Sequence, residues 1–163
     1  MPPRIDGHPH AAWADRADQE VLLPVEDVSP DEILELLPVR ALPGGLFEVC
    51  ALSWWQYGFA LGDTIRVVVD SDGVGQVSEV VHHSGRDTYR VVLHQPSATA
   101  MQSVASSFSS MGCLVEVYNE KMLSIGVEDD DADQALQYVL AQGHPASAWI
   151  WESARFAQDA DAD

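Results

Sequence analysis

The sequence predicts an α+β fold, and three observations lead to that prediction. The middle of the chain contains three strand-like segments, joined by short polar turns at residues 70–75 and 84–87. After Pro96 the apolar residues change to helical spacing, and they do so again after Asp129. From Thr88 onward the predicted order is strand, helix, strand, strand, helix, strand. This is the order of a ferredoxin-like βαββαβ half, with both helices on one face of an antiparallel sheet.

The first half of the chain predicts a β-meander that curls toward a small barrel or extends the sheet. Residues 20–25 are an edge strand in this interpretation, because Pro24 lacks the amide that a central strand would donate. For residues 31–37 the sequence leaves two alternatives, a short helix and the start of a strand. A glycine-rich turn at residues 43–45 then predicts a hairpin into a strand around Leu46.

The turn at residues 84–87 predicts a second hairpin, between the strands on either side of it. In that register His83 lies opposite Thr88, and His82 faces the same side as Tyr89. His83 and His94 then lie at opposite ends of the hairpin. This separation argues against a metal site built from these histidines.

Local signals mark the ends of both predicted helices. Ser97 or Thr99 can begin the first helix, and Gly112 stands where a left-handed residue would end it. The acidic residues 129–131 favour the start of the second helix through its dipole, and Gly143 ends that helix. The apolar residues of the first helix form one stripe: Met101, Val104, Ala105, Phe108 and Met111.

These elements predict a single α+β domain over residues 19–154. Residues 19–87 form its β-meander and residues 88–154 its ferredoxin-like part. Residues 1–18 mix proline, histidine, alanine and aspartate without periodicity, which predicts a disordered tail. Residues 155–163 are predicted to be an acidic tail.

The charge balance is the strongest feature of the composition. The 163 residues include 26 acids and 8 lysines and arginines, a formal net charge of -18. Such a surface repels nucleic acid and anionic membranes, so neither is expected as a partner. It attracts a basic protein and can steer its association. The start of the chain has no apolar signal-peptide core, and we expect a cytoplasmic protein in which Cys50 and Cys113 are buried free thiols.

The candidate binding residues lie in an aromatic segment and in the second turn. Residues 53–59 contain two tryptophans, a tyrosine and a phenylalanine between two strands. Aromatic side chains offer large contact areas in interfaces, although these rings can instead close one end of the core. We predict partner contacts from five side chains: Trp54, Trp55, Tyr57, Arg86 and Asp87.

Catalysis is the less favoured interpretation. His82, His83, Ser84, Arg86 and Asp87 lie around one turn, but a polar hairpin loop accounts for all of them. The run of aspartates that begins the second helix lacks the glycine and the distal glutamate of a calcium loop. We therefore expect no catalytic residue, no metal and no cofactor.

Three segments of the sequence resemble an uncharacterised bacterial domain family. They are GFALGDTIRV from Gly58, VVHHSGRDTYRV from Val80 and MGCLVE from Met111. The family, a domain of unknown function of actinobacteria and myxobacteria, has the patterns GLALGD, SGHST-R and LGC-VE. Arg86 and Asp87 stand where its turn often has histidine and serine. The resemblance covers about residues 46–151 and implies a bacterial origin and the fold boundaries, but no reaction.

Two functions follow as hypotheses from this sequence. The first is an acidic binding protein, such as an immunity or antitoxin-like inhibitor of a basic bacterial toxin. The second is a ferredoxin-like regulatory module that senses a small molecule or forms a homodimer through a sheet edge.

Overall fold

Two β-sheets and two helices make up the part of the chain that the computed structural model describes, residues 2–143 and 148–154. The α+β class predicted from the sequence is confirmed. The elements are β1 (Arg4–Asp6), β2 (Gln19–Pro24), β3 (Ile33–Leu42), β4 (Leu46–Val49), β5 (Thr64–Val69), β6 (Gly75–His82), β7 (Thr88–Leu93), α1 (Ala98–Ser110), β8 (Leu114–Val117), β9 (Met122–Gly126), α2 (Asp130–Gly143) and β10 (Trp149–Ser153). No helix in these ranges is both long enough and apolar enough to cross a membrane.

The first sheet contains β1 to β6 and curls back on itself. Its strands run in the order β1-β3-β4-β5-β6, and β2 pairs with β3. β3 and β4 form the predicted hairpin, whose turn uses positive φ angles at Gly44 and Gly45. The curl brings Leu22 of β2 to a single bridge with Val74, next to β6. Beyond that bridge, β2 and β6 are not paired.

The second sheet has the order β10-β7-β9-β8, and all its neighbouring strands are antiparallel. Both helices share one apolar core with this sheet. That core contains Met101 and Phe108 of α1 and Leu136 and Leu140 of α2. The strands contribute a set of buried side chains from one face: Tyr89, Val91, Leu93, Leu123 and Ile125.

The other face of the second sheet packs against residues from the first half of the chain. Arg90 Nη1 and Ser124 Oγ both donate hydrogen bonds to the carbonyl oxygen of Ser53, at 3.2 and 3.1 Å. Leu52 lies against Gly126, where an added Cβ would stand 2.6 Å from Leu52 Cδ2. The two sheets are therefore joined through the segment that follows β4.

The predicted disordered tail is wrong for the residues that the structure describes there, 2–18. Arg4–Asp6 pairs in parallel with the start of β3, and the side chains of His8 and Trp13 are buried. The segment contributes a few separate anchors instead of a continuous apolar face, so it has no periodicity that would predict its order. The predicted acidic tail over residues 155–163 lies outside the described residues.

The predicted hairpin between β6 and β7 is also wrong. β6 pairs with β5, whereas β7 lies in the second sheet between β10 and β9. His82 pairs with Thr64 and is exposed, not turned toward the core. The Ser84 amide donates to the carboxylate of Asp63, the residue before β5, at 2.8 Å. This hydrogen bond holds the turn beside β5, and the chain therefore does not fold back along β6.

The start and end signals of the helices lie where the sequence predicts them. Ser97 Oγ accepts from the Ala100 amide and caps α1, and Gly112 follows that helix with a φ of 87°. The Asp129 carboxylate accepts from the Ala132 amide and caps α2. Both cysteines are free and buried, as predicted, and burial raises the pKa of both thiols.

We predict that Gly126→Ala lowers the free energy of unfolding by about 1–3 kcal/mol, because the new methyl group overlaps Leu52. Urea denaturation measures this loss. Gly7→Ala is the matched control, since nothing lies within 4 Å of a Cβ at Gly7. The Gly126 substitution should cost less in a Leu52→Ala background, and an equal cost in both backgrounds would contradict the proposed overlap.

Candidate functional site

A groove opens where β2 and β6 separate, beyond the bridge between Leu22 and Val74. Its volume is about 470 Å³. Three stretches of chain line it: the end of β2 with the loop after it, the segment before β5, and β6. The lining residues are Leu23, Pro24, Val25, Glu26, Val28, Pro30, Gln56, Tyr57, Gly58, Phe59, Gln76, Val77 and Val80.

The floor of the groove is apolar. Leu23, Val25 and Phe59 are buried, and Val77 and Val80 are half-buried against the same core. Polar groups on the groove come from two glutamines, one tyrosine and one glutamate, and no lysine, arginine or histidine is among the lining residues just named. A surface of this kind suits an apolar ligand that brings positive charge of its own.

The loop between β2 and β3 forms one rim of the groove and supplies the acidic residue among the lining residues, Glu26. We call residues 26–32, between β2 and β3, the acidic loop. The loop includes no basic residue, and its Val28 and Pro30 line the groove. Its four carboxylates are all on exposed residues: Glu26, Asp27, Asp31 and Glu32.

A second rim is formed by residues 53–59, which we call the aromatic loop. Gln56 Nε2 donates to the Pro24 carbonyl at 3.0 Å and ties this loop to the end of β2. Tyr57 lines the groove, and its hydroxyl donates to the Glu152 carboxylate at 2.9 Å. Burial, followed by this hydrogen bond, raises the pKa of Tyr57. The Arg90 guanidinium lies 4.7 Å from the Tyr57 ring centroid and helps to hold the ring in place.

The tryptophans of the aromatic loop are less accessible than predicted. Trp54 is only 1% exposed, and its ring stacks on His8 with 4.5 Å between the centroids. The Trp54 ring therefore serves the core, and its contact with a partner stays a prediction. Trp55 is half-buried and donates through Nε1 to Asp6 at 2.9 Å.

Glu35 of β3 holds the aromatic loop from below. This carboxylate is fully buried and accepts hydrogen bonds from the Ser53 hydroxyl and from the amides of Trp54 and Trp55, at 3.0, 2.8 and 3.2 Å. A buried carboxylate needs such donors and a positive partner to offset its lost hydration. His8 supplies the positive charge, 2.8 Å away.

His8 lies between two carboxylates, one from each sheet. Its Nε2 is 2.8 Å from Glu35 of β3, and its Nδ1 is 2.8 Å from Glu116 of β8. Each ring nitrogen thus faces a carboxylate, an arrangement in which an imidazolium donates on both sides. Burial lowers the pKa of His8, but the hydrogen bonds to Glu116 and Glu35 outweigh it and raise the pKa to about 9. We call these three residues the ion triad.

The turn at residues 84–87 lies away from the groove. Asp87 is buried, and its carboxylate accepts from Ser153 Oγ at 2.6 Å, which gives it a structural role, while its contact with a partner stays a prediction. Arg86 is half-buried against the Trp13 ring, at 4.9 Å, and lines a separate cavity of about 80 Å³. The structure thus places only Tyr57 of the five predicted contacts on the groove.

The same turn uses its polar groups to hold the backbone. Ser84 Oγ donates to the Leu61 carbonyl at 2.8 Å and accepts from the Arg86 amide at 3.2 Å. Asp63 is fully buried, and it accepts from the Ser84 and Ala60 amides. These hydrogen bonds give Ser84 and Asp63 a structural role where the chain leaves the first sheet and enters the second.

We predict that the stability of the protein falls as the pH rises from about 6.5 to about 9. The pKa of His8 is raised on folding, so its contribution is complete below the unfolded pKa and is lost as the pH passes the folded pKa. The loss is on the order of 3 kcal/mol. Urea denaturation at several pH values measures it.

His8→Gln removes the positive charge and leaves Glu35 and Glu116 buried without it. We expect this variant to lose about 3–5 kcal/mol at pH 6 and to lack the fall above pH 6.5. His10→Gln, at an exposed position two residues away, is the matched control and should match the wild type. Parallel pH profiles for wild type and His8→Gln would show that folding does not raise the pKa of His8.

Comparison with known proteins agrees with the fold and adds no activity. The structure resembles that of a hypothetical protein from Neisseria gonorrhoeae, described as a novel crystal structure, with a TM-score of 0.65 and 16% sequence identity. The similarity covers 84% of this chain and 94% of that chain, and at this identity it shows the fold alone. No curated protein matches the sequence.

Residues 35–151 match a family described as a domain of unknown function, DUF4265. The prediction of an uncharacterised domain family is thereby confirmed, whereas the bacterial origin stays a prediction. The match spans more than half of the chain, and the protein therefore belongs to the DUF4265 family.

Proposed function

We propose that the protein is an acidic, cytoplasmic binding protein whose partner is a basic protein, bound in the groove between β2 and β6. One observation carries the proposal. The groove combines an apolar floor with the acidic loop at its rim, and none of the lining residues that the structure describes is basic.

Each part of the groove has a different role in this proposal. The net charge of -18 and the acidic loop attract a basic partner over a distance of about the Debye length and speed its encounter. The apolar floor then supplies short-range affinity through buried area. Tyr57 adds an aromatic contact whose orientation is already held by Glu152 and Arg90.

A basic bacterial toxin is the partner class that we favour. An inhibitor of such a toxin covers a cationic surface with carboxylates and an aromatic anchor, and the groove offers both. Tyr57 is the anchor on the groove itself. Trp55 is half-buried beside it in the aromatic loop, and its contact with a partner stays a prediction, as does that of Arg86.

The alternative is a regulatory module that senses a small molecule or dimerises. The strand order β10-β7-β9-β8, with its two helices, supports a ferredoxin-like arrangement, and the curl of the first sheet supports a small barrel. A second, mostly apolar groove of about 400 Å³ lies beside α1 and is the place where a small molecule would bind; Met101, Ala105 and Val117 are among its lining residues.

Neutralising the acidic loop tests the proposed function. In the quadruple variant, Glu26→Gln, Asp27→Asn, Asp31→Asn and Glu32→Gln remove four charges. Asn at position 27 suits the positive φ of 62° there. We expect its affinity for cationic peptides, measured by fluorescence anisotropy at low salt, to fall roughly tenfold or more, about 1.4 kcal/mol. The salt dependence of binding should also weaken.

The matched control removes four exposed carboxylates elsewhere: Asp15→Asn, Glu20→Gln, Glu120→Gln and Asp131→Asn. Its net charge equals that of the first variant, so only the position of the lost charges differs. Equal losses in both variants would mean that peptides respond to total charge and not to the groove. If no cationic peptide binds the wild type, the proposed function is wrong.

A further inference from the structure

We infer that the partner enters the groove as an extended strand that pairs with the outer edge of β6, with apolar and basic side chains in alternation. This inference rests on the proposed function and adds the conformation and the side-chain pattern of the segment that is bound. It follows from the edges of the first sheet, the shape of the groove and the position of the charges.

β6 is an end strand of the first sheet in the part of the chain that the structure describes. It has eight residues, Gly75–His82, and its backbone pairing with β2 is limited to the bridge between Leu22 and Val74 just before it. An edge strand presents a row of backbone N–H and C=O groups that can pair with another chain. Proteins usually protect such an edge with lysine, proline or a very short strand. β6 contains no lysine and no proline and is longer than an ordinary strand, while its register with β5 shifts between Thr64 and Ile65 and between Arg66 and Val67.

β6 lies close to β2 at its start, and the two strands separate further along to leave the gap that forms the groove. A Cβ at Gly75 would lie 3.2 Å from the Leu22 carbonyl oxygen, so β2 and β6 are in close contact there. Further along, the two strands separate and both line the groove, β2 through Leu23 and Pro24 and β6 through Val77 and Val80. Pro24 has no amide to donate, so an incoming segment would pair mainly with β6.

The side chains around this gap determine which side chains the bound segment would have. Successive side chains of a strand point to opposite faces. One set would meet the apolar floor, where Phe59, Val77 and Val80 lie. The other set would point toward the solvent and the acidic loop, where lysine or arginine is favoured by charge. The segment is therefore about five residues long and alternates apolar with basic side chains.

A second copy of this chain is the natural rival for an open strand edge. Two copies would bring two acidic loops together, on chains that each carry a net charge of -18. Like charges in juxtaposition oppose this association, while a basic segment meets no such barrier. Charge complementarity therefore selects a basic partner over a homodimer at this edge.

Backbone-modified peptides test the inference. The probe is a ten-residue peptide of alternating lysine and valine, and its dissociation constant is measured by fluorescence anisotropy at low salt. Two further peptides carry N-methyl groups on one or the other set of alternate amides. A strand pairs with β6 through only one set of amides. We expect one methylated peptide to bind at least tenfold more weakly than the parent and the other to stay within about threefold of the parent.

Hydrogen exchange and a matched pair of variants provide independent readouts. Backbone amides of β6 should exchange more slowly in the complex, and those of β8 should not change. Val80→Thr keeps the shape of a residue that lines the groove, and it should weaken binding severalfold. Val81→Thr, at an exposed residue of the same strand that is not among the groove lining, is the control and should not change it.

The failures of the two proposals are distinguishable. Equal binding by the parent and both methylated peptides, with the acidic-loop variant still weakened, would overturn strand pairing and leave the proposed function standing. No binding by any cationic peptide would overturn both. A dimer in sedimentation velocity, with β6 amides protected before any peptide is added, would make a second copy the occupant and overturn the inference.

Discussion

The buried imidazolium of His8 is the interaction on which the arrangement of the groove depends. It bridges Glu35 of the first sheet and Glu116 of the second, at 2.8 Å on each side. Two carboxylates and one imidazolium leave an excess negative charge, which backbone amides offset. Glu116 accepts from the Leu52 amide, and Glu35 accepts from the Trp54 amide. The ion triad therefore fixes both the contact between the sheets and the aromatic loop that forms one rim of the groove.

Elements with local signals could be predicted from the sequence, and those with distant partners could not. The caps of both helices lie within a few residues of the groups that they bind, as in Ser97 with Ala100. The partners of His8 are 27 and 108 residues away, and nothing near His8 in the sequence points to them. The prediction of a hairpin between β6 and β7 was wrong for the same reason. Its turn is directed by Asp63, 21 residues before Ser84, and not by the turn residues alone.

The groove itself could not be predicted from the sequence. The acidity of the chain and the aromatic segment led to the hypothesis of a binding surface, and of the five predicted contacts Tyr57 lines the groove. Trp54 is instead the most enclosed ring of its loop, because it stacks on a charged histidine that the sequence did not place there. The acidic loop had a readable signal, four acids within residues 26–32. The position of β6 beside the groove depends on the curl of the first sheet and could not be predicted from the sequence.

The acidic loop and the edge of β6 are best understood together. An unprotected strand edge favours pairing with any extended chain, including identical copies and unfolded neighbours. Here the edge itself carries one charged residue, Glu79, which is engaged by Arg66 on the adjacent strand. Two shifts of register in its pairing with β5 perturb this edge, and the acidic loop beside the groove adds negative charge next to it. Negative charge repels other acidic chains, this one included, but not a basic one. The same four carboxylates would thus keep the edge open and select the partner that closes it.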